Sequence, residues 1–327
     1  MTDRVVRVVA PSRLHFGMLS VNQPGVRRYG GVGAMVDAPG LELVIRPAAT
    51  LEAAGPLADR VMEAARVTVR SLGHGEPARH QEPRCRIEVV RAAPLHVGLG
   101  TGTQLAMAVA AGLNAWWQRP PMTAASLARG AGRGKRSAIG LYGFVYGGLL
   151  YESGKDDEEQ IAPLVDRVEI PQAWRFVLVR PRDERGLSDE AESAAFAGLP
   201  PVPLERTKTL RKEAADYLLP AAVKGNFDEF SESLYRYGYL AGLNFAAKQA
   251  GAFAGERLAT LVDFVRAGGV RGVGQTSWGP TLFAVVPDES SASELVGRLR
   301  SRSDSADLEL AISSPDNQGA RIEAGTA

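Results

Sequence analysis

Apolar and polar positions along the chain follow two rhythms, one of period two and one near 3.6, and their succession predicts the element order. VVRVVA (5–10) alternates weakly and reads as a strand ending at Pro11, and LELVIRP (41–47) and CRIEVVRA (85–92) read as strands by alternation and β-branched content. Between these two, Leu57, Val61, Ala64, Ala65 and Val69 recur at helical spacing and predict a helix over 55–72, while 73–83 reads as loop. Leu105, Val109, Leu113 and Trp116 continue a helix from Thr103 until Pro120 and Pro121 stop it, and a short helix is predicted over 123–130. The stretch GRGKRSAIGLYGFVYGGLLYESG (132–154) reads as a glycine-rich loop followed by strand-like residues, and the acidic run after Gly154 as a solvated turn. WRFVLVRP (174–181) predicts a buried strand. Helices over 205–219, 227–248 and 255–267 follow, then the strand TLFAVV (281–286), a helix near 292–301 and a final strand LELAIS (308–313). Strands and helices in unequal groups, with no visible repeat, predict an α+β fold in both halves.

The length, 327 residues, accommodates two domains of about 150 residues each, and the expected division is 1–165 and 166–327. A composition of 45% apolar and 23% charged residues is that of a globular protein. The single cysteine, Cys85, excludes an intrachain disulfide and a Cys-based metal site, and fits a reducing cytosol. The longest apolar stretch, 99–117, is broken by Thr101, Thr103, Gln104 and Asn114, and the first residues carry no signal-peptide core, so neither membrane insertion nor secretion is expected. A cytoplasmic protein is the expectation, with a homodimer as the default assembly.

Charge changes the picture more than composition does. The net charge of +1 conceals 18 Lys/Arg against 9 Asp/Glu in residues 1–150, and 20 against 28 in the rest. No carboxylate occurs between Glu88 and Glu152, a window that holds Arg91, Arg119, Arg129, Arg133, Lys135 and Arg136. These cations are interleaved with glycine-rich apolar motifs and not with aromatic platforms, which points to a small phosphorylated ligand and away from nucleic acid.

The segment PLHVGLGTGTQ (94–104), between a strand and a long helix, is the most informative. Its glycines let backbone approach a ligand, and the unsatisfied N–H groups of a helix start favour an anion, so Gly98, Gly100, Thr101, Gly102, Thr103 and Gln104 form a candidate phosphate cradle. A spacing such as H-x-x-x-H is absent, and a transition-metal site is not expected; metal ligands cannot be assigned from the sequence.

That segment resembles the second motif of the GHMP kinase superfamily. Together with PSRLHFGMLS (11–20), RRYGGVGAMVDAP (27–39), GRGKRSAIGLYGFVYGG (132–148) and GVGQTSWGPTLFAV (272–285), it resembles more closely the β-ribofuranosylaminobenzene 5′-phosphate synthase family, in order and over most of the chain. The resemblance implies a two-domain GHMP kinase fold, with a ribosomal-protein-like N-terminal domain and a ferredoxin-like C-terminal domain. It also implies a reaction of tetrahydromethanopterin biosynthesis. Phosphoribosyl pyrophosphate condenses with 4-aminobenzoate or 4-hydroxybenzoate, pyrophosphate and CO₂ leave, and a C-riboside remains, with Mg²⁺ accompanying the pyrophosphate. Related C-nucleoside synthesis from a heteroaromatic acid, ATP-dependent phosphorylation of a small alcohol, and a silent ligand-binding member are the other readings. Against a kinase stands Ser137-Ala138-Ile139-Gly140, which has Gly140 where the superfamily's kinases carry an aspartate.

Position in the matched motifs nominates the site residues. Arg13, Arg27 and Arg28 are candidate phosphate or carboxylate clamps, and Arg133, Lys135, Arg136 and Ser137 a candidate anion loop. His15 and His96 flank matched loops and could orient substrate or carry a proton. Gln275, Thr276, Ser277 and Trp278 are suited to lining a cleft between domains, with Trp278 either a buried tryptophan of the domain interface, the ordinary role, or a stacking surface for the aromatic acid. PRDERGLSDEAESAAF (181–196) resembles another family segment, in which Glu192 is the candidate for Mg²⁺ or the ribose hydroxyls. Asp183, Glu184 and Ser188 share that segment, whereas His74 and His80 carry no assigned role.

Overall fold

A computed structural model of the chain describes residues 4–72, 82–186 and 189–326. Its strands are β1 (Arg4–Ser20), β2 (Tyr29–Pro47), β3 (Glu52–Ala54), β4 (Cys85–Ala92), β5 (Leu149–Glu152), β6 (Leu164–Val168), β7 (Arg175–Pro181), β8 (Val273–Gln275), β9 (Leu282–Val286), β10 (Leu308–Ser313) and β11 (Arg321–Thr326). They form two sheets. The first runs β11-β1-β2-β4-β3, with β5 beside β2 and β6 beside β5; the second runs β10-β7-β9-β8 and is antiparallel throughout. In chain order the second sheet reads fourth, first, third, second, which is the ferredoxin-like arrangement expected of the C-terminal half.

The apolar run of β7 is continuous because both its faces are covered. Val177 and Val179 pack with the helices Glu256–Ala267 and Glu289–Arg300, while Phe176 and Leu178 pack with Leu14 and Phe16 of β1 and with Leu234 and Tyr237 of the helix Phe227–Gly242. That shared core joins the two halves. On the other face of the first sheet, the helix Thr101–Trp116 buries Leu105, Val109 and Leu113 against Val6, Val8, Leu43 and Ile45.

Several expectations change. β1 extends ten residues beyond the alternating stretch, through bulges between Ala10 and Ser12 and between His15 and Gly17. Arg13 and His15 break the apolar alternation there because they are turned to the site described below, while the Ser12 hydroxyl accepts the Gly40 N–H. The residues read as strand-like after the glycine loop form a helix, Ile139–Tyr146, before β5. Its glycines lower helix propensity, but a side chain at Gly143 would come within 2.2 Å of the Met35 sulfur, so close packing overrides propensity. The helix expected over 205–219 runs Leu204–Lys212, continues as a π-helical turn over 213–218 and ends in Leu219–Lys224. A helix, Asp189–Ala197, carries Glu192 in its first turn, whereas the exposed edge strand β11 carries little apolar signal and is not foreseen by the pattern.

The division at 165 falls inside β6, which pairs with β5 in the first sheet, and the chain returns to that sheet through β11. On the way back, Asp316 donates its N–H to the Met35 carbonyl and accepts from Gly148, strapping the C-terminal segment over the N-terminal domain. Cys85 is buried in this domain and its thiol is pushed up to about 12 by burial. Among the described residues, no helix is long and apolar enough to cross a membrane.

Candidate active site

The loop after β4 reaches the helix Thr101–Trp116 through Gly98 (φ 89°) and Gly100 (φ 71°), both in the left-handed region that glycine accepts. The Gly100 carbonyl takes the N–H groups of Thr103 and Gln104, both at 3.0 Å, and no side chain caps the helix start. The first-turn N–H groups of Thr101 and Gly102 have no acceptor within the helix and are open to an anion. A second loop closes on the first. Thr276 donates its hydroxyl to the Gly98 carbonyl at 2.8 Å and accepts the His15 N–H at 2.9 Å. A side chain at Gly98 would stand 2.4 Å from the Thr276 carbonyl oxygen, and one at Gly279 would stand 2.5 Å from that of Val97. Backbone contact between the two domains therefore requires glycine on both sides, and the two glycine motifs belong to one junction.

Over this junction lies a cavity of about 480 Å³ lined by Arg13, His96, Gly98, Gly100, Thr101, Gly102, Thr103, Arg133, Lys135, Arg136, Ser137, Glu192, Ser277 and Trp278. Most residues nominated from the sequence thus meet in one place. Arg13 lies beneath the cradle and donates to the Gly98 carbonyl at 3.3 Å, while its own N–H bonds to the Leu99 carbonyl. Its Nε is buried without a partner, and among the described residues no carboxylate comes within ion-pairing distance. Burial lowers its pKa to about 10, against the pull of Glu192 and Glu152. Such a buried, unmatched guanidinium is a site waiting for an anion.

Other nominated residues are engaged elsewhere. Arg136 is ion-paired with Glu192, donates to Ser193 and lies 5.0 Å over the ring of Phe196, so Glu192 is an arginine partner before it is anything else. Arg27 and Arg28 do not reach the cavity: Arg27 pairs with Asp156 at 2.8 Å and with Glu159, and Arg28 with Asp157. The acidic run is therefore the partner of these two arginines and not merely a solvated turn. Gln104, 1% exposed, donates to the Gly140 carbonyl, and Gln275 joins Ala254 to Ser277, so both amides hold backbone. The Thr101 hydroxyl donates to the Pro94 carbonyl. Trp278 packs edge-on against Phe196 and Phe245, with its indole N–H unpartnered, and forms an apolar wall beside the cations. Asp183 and Glu184 pair with Arg257, away from the cavity, while Ser188, His74 and His80 lie outside the described residues.

Beneath Ser137 sits a carboxylate that sequence reasoning missed. Glu152, at the end of β5, is fully buried; its Oε2 accepts the Ala138 N–H at 2.6 Å, and its Oε1 has no partner. Burial raises its pKa to about 7, although contact with the Ser137 hydroxyl, the Ala138 N–H and the Arg13 charge favour ionisation. His15, nominated as catalytic, is also buried behind Ser137: its Nε2 lies 3.1 Å from Ser137 Oγ, and its Nδ1 accepts the Gly17 N–H. Burial and the nearby Arg13 charge hold this imidazole well below its ordinary pKa. The only hint of Glu152 in the sequence is that it ends the carboxylate-free window.

A stability test follows from these opposite shifts. A carboxyl whose pKa rises on folding adds stability below its unfolded value near 4.5, and that contribution is lost as pH climbs through about 7. A histidine whose pKa falls does the reverse, losing stability as pH drops below 6.5. In Glu152→Gln only the histidine effect remains. The stability of the wild type relative to this variant is expected to rise by on the order of 3 kcal/mol from pH 8 to pH 4.5. Chemical unfolding of both proteins across that range measures it, and a constant difference would mean that Glu152 titrates normally.

The chain matches the family model described as "GHMP kinases N terminal domain" over residues 59–148 and "GHMP kinases C terminal" over residues 218–304. It is 28% identical over 303 residues to the "Beta-ribofuranosylphenol 5'-phosphate synthase" of Methanothermobacter thermautotrophicus, covering 85% of this chain and 88% of that protein. Identity is again 28%, over 98% of this chain and all of the relative, to the protein of the same name from Archaeoglobus fulgidus. Among solved structures, a homoserine kinase from Cytophaga hutchinsonii superposes with a TM-score of 0.68 at 16% identity, over 98% of this chain and 97% of that one. Mevalonate-3-kinase from Thermoplasma acidophilum superposes with a TM-score of 0.63 at 12% identity, over 99% of both chains.

Proposed function

The chain belongs to the GHMP kinase superfamily and, within it, to the β-ribofuranosylaminobenzene 5′-phosphate synthase family, and from that membership we propose that it joins phosphoribosyl pyrophosphate to a 4-substituted benzoate with loss of pyrophosphate and CO₂. The proposed acid is 4-hydroxybenzoate, because the relatives are named for the phenol product, and the proposed context is tetrahydromethanopterin biosynthesis.

One observation carries this reading over a kinase. A Cβ at Gly140 would point between Thr103, Gln104 and Arg13, at 3.4, 3.5 and 3.7 Å. Where a kinase of this fold would aim a carboxylate to prepare an alcohol for attack, this chain has no side chain and a buried arginine beside it. A departing pyrophosphate suits that environment. The open N–H groups of Thr101 and Gly102 and the Arg13 guanidinium would take up the charge that develops as the bond from C1 of the ribose to oxygen breaks. Trp278, which lines the cavity, offers an apolar surface against which an aromatic ring can stand over C1, and fixing that approach supplies much of the acceleration. Once the ring carbon bearing the carboxylate has bonded to C1, loss of CO₂ restores aromaticity.

Mg²⁺ is proposed to arrive on the pyrophosphate. Among the described residues no group of three or more His, Cys, Asp or Glu side chains could hold a metal ion, and Glu192, on the cavity wall, is taken by Arg136. The side chains here do not make a cage for it, and no step above passes through it.

The purified chain, given Mg²⁺, phosphoribosyl pyrophosphate and 4-hydroxybenzoate, is expected to release pyrophosphate and CO₂ in equal amounts. In a parallel assay with ATP and small alcohols no ADP should form. ADP without pyrophosphate release from the first mixture would overturn the reading in favour of a kinase.

A further inference from the structure

We propose that Glu192 is an internal placeholder for a phosphate monoester: its carboxylate holds a seat, built by Arg136 and Ser193, that the 5-phosphate of phosphoribosyl pyrophosphate takes on binding. The inference deepens the reaction proposed above and rests on it.

Phosphoribosyl pyrophosphate is anionic at both ends, and the cradle with Arg13 accounts for one of them. The other needs a cation on the same cavity wall, and Arg136 has a seat built around it. Its guanidinium lies 5.0 Å over the ring of Phe196, and its Nη2 donates to Ser193 Oγ at 3.1 Å. Its Nη1 is given to Glu192. A stacked guanidinium fork beside a hydroxyl suits the oxygens of a phosphate as well as it suits a carboxylate. Because the ring and the hydroxyl hold Arg136 independently of Glu192, the guanidinium keeps its place when the carboxylate leaves.

Charge gives the reason for it to leave. Among the described residues two carboxylates line the cavity, Glu63 and Glu192. Glu63 is paired with Arg60 on its own helix, at 3.1 Å. Glu192 acts on both arginines of the site, since it pairs with Arg136 and lies close enough to Arg13 to favour that group's charge. A polyanion filling the cavity therefore meets a like charge in Glu192 and a neutralised Arg136. Both costs vanish together when the carboxylate swings out and phosphate replaces it. An exit exists. The Glu192 side chain is 21% exposed, and its place in the first turn of the helix Asp189–Ala197 keeps a carboxylate favoured by the helix dipole after the arginine is lost.

Exchange of this kind fixes the sign of the test. The phosphate must displace an internal ligand, so its apparent affinity is reduced by the fraction of molecules in which Arg136 is open. Removing the carboxylate should tighten binding, whereas a residue that held the ribose hydroxyls would weaken binding when removed.

The experiment is calorimetric titration of ribose 5-phosphate into the wild type, Glu192→Gln, Glu192→Ala and Arg136→Gln, each with a melting curve. Mg²⁺ and saturating pyrophosphate are present, so that the cradle is already filled. Both Glu192 variants are expected to bind ribose 5-phosphate about tenfold more tightly than the wild type, and Arg136→Gln about tenfold more weakly. Pyrophosphate alone, seated on the cradle, should keep its affinity within about threefold in all four proteins. Unchanged or weaker binding of ribose 5-phosphate by the Glu192 variants would overturn the exchange and leave the ion pair a fastener of the helix. Competition between the two ligands would overturn the separate seat. If the Glu192 variants do not fold, Arg136→Gln decides, because wild-type affinity for ribose 5-phosphate in that protein overturns the proposal equally. A wild type that binds neither ligand removes the phosphoribosyl reaction itself, which is a different outcome from unaltered affinity in the variants.

Discussion

Replacing Arg13 with methionine is expected to lower kcat/KM for riboside formation by about a hundred- to a thousandfold, the range observed when one preorganised donor to a developing anion is removed. The expectation comes from what the guanidinium lacks. It is held under the cradle by a backbone carbonyl at 3.3 Å and has a buried Nε without a partner, and burial lowers its pKa to about 10. Methionine keeps the unbranched stem as far as the position of Nε and removes the desolvated charge, so thermal stability should hold or rise. Lysine in its place should recover part of the lost activity, since it returns a charge but not the planar fork. Steady-state kinetics with a melting curve for each variant test this. A methionine variant of normal activity would remove Arg13 from the site.

How far the sequence could be read follows from which signals were local. The long apolar helix, the strands rich in valine and isoleucine, and the glycine-rich turn that leads into the helix are each contained in short segments, and these elements are present where the pattern places them. Arg27 and Arg28 were misplaced because their partners, Asp156, Asp157 and Glu159, lie about 130 residues away, and nothing in either segment reveals the pairing. Arg136 and Glu192 were both nominated, but as separate ligand contacts; their mutual pairing is equally non-local. β11 escaped notice because all six of its residues are exposed and no alternation survives on an edge strand. Glu152 was hidden for the opposite reason. It ends a short buried strand beside the glycine-rich loop, and only the fold places it behind Ser137 and His15, which come from segments more than a hundred residues apart.

Changing Gly102 to valine is expected to weaken binding of phosphoribosyl pyrophosphate about a hundredfold while the protein stays folded. The two halves of that expectation have separate physical grounds. A Cβ at Gly102 would meet nothing closer than 3.9 Å, where Arg133 and Leu95 stand, so the folded chain has room for it. Valine in the first helical turn is no worse than glycine by intrinsic propensity, so stability should be close to unchanged. Its isopropyl group would nevertheless stand on the cavity wall over the open N–H groups of the helix start and hold the pyrophosphate away from them. Charge-assisted hydrogen bonds of this kind contribute about 1.5–3 kcal/mol each, and losing one of them corresponds to roughly the stated change in affinity. Gly100 cannot serve the same purpose: its φ of 71° and a Cβ only 3.0 Å from Arg13 Nε would mix misfolding with lost binding. Calorimetric titration of the Gly102 variant with phosphoribosyl pyrophosphate, alongside a melting curve, separates the two. Unaltered affinity in a folded variant would mean that the anion sits elsewhere in the cavity, with Arg133, Lys135 and Arg136 as its seat and the cradle serving only to join the two domains.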